Sequence, residues 1–260
     1  MKTLLEVQNL SKSFGGLSAV QQVSFTVGRD EIVGVIGPNG SGKTTLVRLI
    51  MGMLRADYGD VLFRGENITG KPVWDVVRKG IAMTHQVVRP FRELPIIDNV
   101  ILGVLGSGRK RGEWTKRAET MAMDALEFCG ISDLAKERAS VLPHGDLKRL
   151  EIARALATEP ELLILDEPFA GLSHHETDLM SKSLKRLHWG GRFGRLHSEG
   201  PAMLIVEHKL SELMKMVDRV IVLNYGQLMA EGLPAEIVKD PKVIEVYVGG
   251  NQSQGESHAP

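Results

Sequence analysis

The stretch Gly37-Pro38-Asn39-Gly40-Ser41-Gly42-Lys43-Thr44-Thr45 fits Gly-x4-Gly-Lys-Ser/Thr, the spacing of a phosphate-binding loop. A polyphosphate needs many hydrogen-bond donors at short range, where side chains would crowd one another. Glycines let the backbone wrap closely, so that successive N–H groups point inward as an anion nest. A helix starting at the loop's end adds its positive pole. In such a loop Lys43 reaches the β- and γ-phosphates and the Thr44 hydroxyl takes Mg²⁺. A chain of this length meets the pattern by chance about once in a hundred, so the flanks decide. Glu31–Ile36 is a short apolar run suited to a buried parallel strand, and Thr45–Met51 has one apolar helical face. Strand, glycine loop and helix are the setting the motif requires.

A second stretch converges on the same chemistry. Leu162-Leu163-Ile164-Leu165-Asp166-Glu167 is a buried strand ending in two carboxylates. Phosphoryl transfer to water needs a Mg²⁺ ligand and a group that orients or deprotonates the water. Asp166 suits the first role and Glu167 the second. Ala202–Val206 repeats the pattern and leads to Glu207-His208, where His208 could bond a terminal phosphate and hold the attacking water. Gly80–Gln86 is a further core strand whose polar end presents Gln86 to water or Mg²⁺. A lone strand-end His or Gln is ordinarily only solvated; in open α/β sheets, however, ligands gather beyond the carboxyl ends of strands.

The remaining segments organise around this core. Leu4–Leu10 and Val20–Val27 read as antiparallel strands flanking Gly15-Gly16. Phe14, just before that turn, is either a half-buried strand-end aromatic or a platform for a purine ring. Gly59–Gly65 is a short strand, and Pro72–Val77 a helix. From about 90 to 158 strand signals vanish and helices over Pro95–Leu102 and Trp114–Phe128 suggest an inserted helical subdomain, with Met121 and Met123 as packing residues. Its basic linker Gly106–Gly112 is a solvated loop, or a contact for lipid headgroups or a partner. Leu142-Pro143-His144-Gly145-Asp146 opens a strong helix over Leu147–Leu156, as a plain cap or an anion site. His174-His175 lack metal-ligand spacing and read as surface. Trp189–Gly200 is a loop without assigned chemistry. A hairpin turns at Asn224-Tyr225-Gly226, short helices over Pro234–Val238 and Val243–Val248 follow, and the polar tail 250–260 reads as disordered.

Bulk properties narrow the class. The 260 residues are 43% hydrophobic and 25% charged, with 32 Lys plus Arg against 32 Asp plus Glu, so no basic footprint points to nucleic acid. Cys129 is the single cysteine, which excludes an intrachain disulfide and fits a reducing compartment. Met1–Glu6 is not expected to be a signal peptide, because Glu6 falls where an apolar core should begin. No run approaches the roughly 18 apolar residues of a membrane span, so a membrane role is expected to come through a partner.

On the loop Gly37–Thr45, Gln86, Leu142–Asp146 with its following helix, Leu162–Glu167 and His208, the chain resembles an ATP-binding-cassette (ABC) transporter ATPase subunit over about Leu4 to Gly249. Lys12–Gly16, Pro90–Leu94, Leu142–Asp146 and Ala230–Glu236 with Val243–Glu245 make it most similar to the branched-chain amino-acid importer type. The resemblance implies an α/β fold: a RecA-like P-loop NTPase core with an N-terminal antiparallel β-subdomain and the helical insertion, all in one domain over 1–249. It implies ATP and Mg²⁺, with Phe14 under the adenine, residues 37–45 around the phosphates, Thr44, Asp166 and Gln86 toward the metal, Glu167 as base and His208 at the γ-phosphate. It also implies a homodimer or related heterodimer sandwiching two ATP, in which Leu142 and Gly145 of one subunit face the partner's nucleotide. A membrane permease would dock near the helical subdomain and Gln86, with a periplasmic or surface solute-binding protein acting indirectly, and the chain would sit on the cytoplasmic face of the cell membrane.

The sequence departs from that pattern in places. Pro143, His144 and Asp146 replace the usual Ser, Gly and Gln, and Ser173 stands where Asp or Asn is usual. Three alternatives remain at this point: an exporter ATPase of the lipopolysaccharide-transport type, a soluble P-loop kinase, and a non-transport cassette acting on nucleic acid or ribosomes.

Overall fold

The computed structural model describes residues 2–85, 89–106, 114–189 and 200–249. Gln86, most of the Gly106–Gly112 linker, residues 190–199 and the 250–260 tail lie outside them. In chain order the elements are β1 (Thr3–Phe14), β2 (Leu17–Gly28), β3 (Ile32–Ile36), α1 (Lys43–Ile50), β4 (Tyr58–Phe63), β5 (Glu66–Asn67), α2 (Val73–Arg78), β6 (Ile81–Thr84), α3 (Ile96–Gly106), α4 (Trp114–Cys129), α5 (His144–Leu156), β7 (Leu162–Asp166), α6 (His174–Trp189), β8 (Ala202–Val206), α7 (Leu210–Leu213), β9 (Arg219–Asn224), β10 (Gln227–Gly232), α8 (Pro234–Ile237) and α9 (Pro241–Gly249).

Two sheets form. The larger runs β10-β9-β3-β8-β7-β6 and the smaller β2-β1-β4-β5. In the larger sheet β9, β3, β8, β7 and β6 are mutually parallel, and only β10 is antiparallel. Strands β3, β7 and β8 are buried at every position, as parallel strands covered on both faces must be. The strand period of two divides their side chains. Val33, Val35, Leu162, Ile164, Leu204 and Val206 face one core with α1 and the smaller sheet. Ile32, Ile36, Leu163, Leu165, Met203 and Ile205 face another with α5, α6 and α7. A third core joins α3, α4 and α5. There Ala118, Met121, Ala125 and Leu126 are buried as their spacing predicts, but Met123 points to solvent, 37% exposed.

Sequence reading places most elements within a few residues and misses two helices. The larger, α6, carries a legible start: Ser173 Oγ accepts from the Glu176 amide at 3.3 Å, while Glu176 accepts from the Ser173 amide at 2.8 Å. That is a capping box. The exposed pair His174-His175 opens this helix. The four-residue α7 has no comparable signal. Helix α5 also starts earlier than expected, at His144, with Pro143 as its N-cap. Proline costs nothing there, because an N-cap amide lies outside the intrahelical ladder.

An Arg219 cluster helps to tie the two sheets together. Arg219 Nε donates to Glu31 at 2.7 Å, its Nη2 donates to Thr26 O at 2.7 Å and to Glu31 at 3.0 Å, and it also pairs with Glu231. Burial pushes the Glu31 carboxyl up, but the Arg219 hydrogen bonds and charge and the Gly28 amide outweigh it and leave the group below its usual 4.5. Its stabilisation is therefore present above 4.5 and lost as pH falls below that value. Replacing Arg219 with Met strands a mostly buried carboxylate. The expected cost at pH 7 is about 2 kcal/mol, discounted for partial exposure. In urea melts the gap between variant and parent should narrow as pH drops below 4.5; a gap that is constant with pH would refute this account.

Candidate active site

The carboxyl end of β3 feeds the phosphate loop, β8 lies next to β3, and β7 lies next to β8. Val206 is the register partner of both Val35 and Asp166. Three strand ends therefore open on one place: the Gly37–Thr45 loop, Glu207-His208 and Asp166-Glu167. Sheet order alone accomplishes this, although the loop is more than a hundred residues in the chain from either of the other two segments.

The loop's shape depends on its glycines. Gly37, Gly40 and Gly42 have φ of 151°, 79° and 102°, values that side chains rarely adopt. A Cβ on Gly37 would lie 2.2 Å from Leu223 O, and one on Gly42 would lie 2.3 Å from Ala19 O. The loop is thus clamped between β2 and the β9–β10 turn. That turn adds a bond from the Gly226 amide to Ser41 O at 3.0 Å, and Gln21 N donates to Gly226 O at 2.7 Å. Lys43, 5% exposed, donates to Gly37 O at 2.8 Å and Pro38 O at 2.9 Å. Burial lowers the Lys43 ammonium from its ordinary value, and the charges of Glu167 and Asp166 oppose that shift. Gly42→Ala should cost about 2–3 kcal/mol through left-handed strain and overlap with backbone. It should also abolish nucleotide binding, measurable by calorimetry with ADP; binding within a few-fold of the parent would contradict this geometry.

A cleft of about 550 Å³ lies over the loop. It is lined by Phe14, Leu17, Ser18, Ala19, Gln21, Asn39, Gly40, Ser41, Gly42, Lys43, Thr44, Thr45, Glu167, His208 and Tyr225. Phe14 is half-exposed on its wall, with Lys12 Nζ 5.6 Å from the ring centre. Glu167 and His208 meet directly, Nε2 to Oε1 at 2.7 Å. Asp166 sits behind them, 3% exposed, and its Oδ1 has no hydrogen-bond partner among the described residues. Burial, then the charge of Glu167, pushes its carboxyl up to about 6. A buried oxygen without a donor suits a hard cation, which would reverse that shift. Among the described residues no cluster of three His, Cys, Asp or Glu side chains could hold a metal alone, so phosphate and water oxygens would complete its shell.

Of the residues singled out in the sequence, Phe14, Asn39–Thr45, Glu167 and His208 line this one cleft; Gly37 and Pro38 accept from Lys43 Nζ at the start of the loop, and Asp166 is buried beside Glu167. Leu142 and Gly145 are not part of its wall. Leu142 belongs to the core of α3, α4 and α5, and Gly145 packs against α6, where a Cβ would lie 2.5 Å from a Glu176 carboxylate oxygen. Sequence reasoning missed Glu207 and Tyr225. Glu207, 2% exposed, accepts three backbone amides: Phe169 at 2.6 Å, His208 at 2.9 Å and Lys209 at 3.1 Å. Tyr225 holds φ of 45° at the turn tip and adds a second exposed aromatic to the cleft.

The family model described as ABC transporter matches residues 20–170, more than half of the chain. The chain belongs to the ABC transporter family. A second model, the branched-chain amino acid ATP-binding cassette transporter, matches residues 227–251 of the cassette. A relative in Archaeoglobus fulgidus, named LivG as a branched-chain amino acid transport ATP-binding protein, is 39% identical over 96% of this cassette and 97% of its own length. The high-affinity branched-chain amino acid transport ATP-binding protein LivG of Escherichia coli is 37% identical over 95% and 98%. Among solved structures, the ADP conformation of an ATP-binding cassette of an ABC transporter superposes with a TM-score of 0.84 at 32% identity, over 96% of this chain and all of that one. The P-loop NTPase fold and nucleotide binding follow, and the cassette is an ABC-type ATPase. No helix among its described residues is long and apolar enough to cross a membrane.

Proposed function

We propose that this cassette is the ATP-hydrolysing subunit of an importer for branched-chain or related amino acids. The observation that carries the reading is the 39% identity to LivG along nearly the whole chain. In this reading ATP is the substrate. Phe14 stacks under the adenine, the backbone N–H groups of the 37–45 loop, Pro38 excepted, and Lys43 hold the phosphates, and Lys43 exchanges its bonds to Gly37 O and Pro38 O for phosphate oxygens. Thr44, Asp166 and Gln86 would hold Mg²⁺, which when bound would neutralise charge on the phosphate oxygens. Glu167 takes the proton of the attacking water, and His208 fixes that carboxylate through Nε2 and bonds the γ-phosphate.

Two subunits close over two ATP, with Leu142 and Gly145 of each facing the nucleotide of the other. The helices over roughly 90–158 act as a subdomain against which a membrane permease docks, and a solute-binding protein acts from the opposite side. The cassette then lies peripherally on the cytoplasmic face. Proteoliposomes holding the cassette, its permease subunits and the binding protein should accumulate labelled leucine only with internal ATP. Stoichiometric ADP and phosphate without uptake of leucine, isoleucine or valine would overturn the solute assignment and keep the ATPase.

A further inference from the structure

Helix α5 grips the loop that carries Glu167 at two points one turn apart. Lys148 Nζ donates to Glu167 O at 3.4 Å. His144 Nε2 lies 3.3 Å from Ala170 O, a bond made by the Nε2–H tautomer. Residues four apart share a helix face, so both reach the same loop. The fit at His144 is close: a Cβ on Gly171, whose φ is 76°, would lie 2.7 Å from His144 Nε2.

The loop needs holding. Glu167 has φ of 51° and precedes Pro168, a left-handed conformation that persists only where its surroundings enforce it. Its amide donates to Val206 O at 2.9 Å, and its carbonyl accepts from Ala170 N at 3.2 Å as well as from Lys148. An ammonium is costly at this depth, since Lys148 is 3% exposed. Burial lowers its pKa, and the carboxylates of Glu151, Glu167, Glu207 and Asp166 act against that. A residue needed only to fill space would carry no charge here.

We propose that Lys148 is a positioning residue for hydrolysis: its ammonium, held among those carboxylates, fixes the Glu167 peptide plane and so aims the Glu167 carboxylate at the attacking water. The inference rests on Glu167 being the base. It also gives His144, which replaces the usual glycine, a role beside Lys148 in tying the loop to α5.

The test compares Lys148→Met, Lys148→Arg and Lys148→Gln in the full chain. Lys148→Met should lower kcat about a hundredfold, the scale of a catalytic group misplaced by an ångström. ADP affinity and KM for ATP should stay within about twofold, because lost aim acts on the transition state alone. Lys148→Arg, which keeps a charged donor, should recover most of the loss. A kcat above half the parent value in Lys148→Met, or ADP affinity falling in step with kcat, overturns the proposal. If Lys148→Met does not fold, Lys148→Gln must still fall well below Lys148→Arg in kcat at equal ADP affinity, and equal kcat overturns it. Glu167→Gln in the same assay separates the two readings. If that variant hydrolyses ATP normally, the base assignment fails; if it is inactive while Lys148→Met is normal, only the positioning role fails.

Discussion

Glu167→Gln should lower ATP hydrolysis by about 10²–10⁴-fold, the usual contribution of a positioned general base, while ATP binding is retained. The substitution preserves shape, and its amide oxygen can still accept from His208 Nε2, now 2.7 Å from Glu167 Oε1. What disappears is basicity and one negative charge beside the terminal phosphate. Losing that charge removes repulsion as well as chemistry, so the ATP-bound state should persist. Sizing chromatography with ATP should then show a stable dimer, and phosphate release should fall to background. A variant that binds ATP but stays monomeric would count against the sandwich arrangement. One that still releases phosphate at the parent rate would remove Glu167 from the base role.

The phosphate loop and the Asp166-Glu167 pair were legible because each is local. The roles proposed for them rest on backbone shape and on the residue type ending an apolar strand, and both are visible within nine residues. The parallel core was legible for the same reason: its strands are short apolar runs with no polar face. Long-range pairing was not. Nothing near Ser41 in the chain announces that Gly226 will donate to its carbonyl at 3.0 Å. Helix α6 is hard to read because Ser173 of its Ser173–Glu176 capping box is followed by the polar pair His174-His175 rather than by an apolar stripe. Lys148 is hard to read because a charged residue on an amphipathic helix ordinarily faces solvent, whereas here it is buried. Glu207 went unread because its most distant partner, the Phe169 amide, is 38 residues away and His208 beside it was the more suggestive side chain. Leu142 marks a different limit. It was chosen by resemblance as a nucleotide contact, and within one subunit it is a core residue, so any such contact must come from the backbone around it.

Glu207→Ala should then be among the most damaging single changes in the chain. The side chain is buried and accepts from the amides of Phe169, His208 and Lys209 at once. Removing it orphans three donors next to Glu167 and His208. Hydrogen bonds to a charged acceptor contribute about 1.5–3 kcal/mol each, but the orphaned groups relax together and water reaches some of them, so the expected loss is about 3–5 kcal/mol in urea unfolding. Glu207→Gln keeps one acceptor oxygen for only part of the set and turns an N–H toward the rest, so about half that loss is expected. Activity separates scaffold from chemistry. Glu207 holds both loops that meet at the 2.7 Å Glu167–His208 contact, so kcat should fall by about ten- to a hundredfold in the Gln variant even at temperatures where it is fully folded. ADP affinity should be preserved, because the Gly37–Thr45 loop is braced from β2 and the β9–β10 turn rather than from Glu207. Unchanged kcat in a folded Glu207→Gln variant would mean that the two loops keep their geometry without this carboxylate, and that β8 contributes strand order alone to the site.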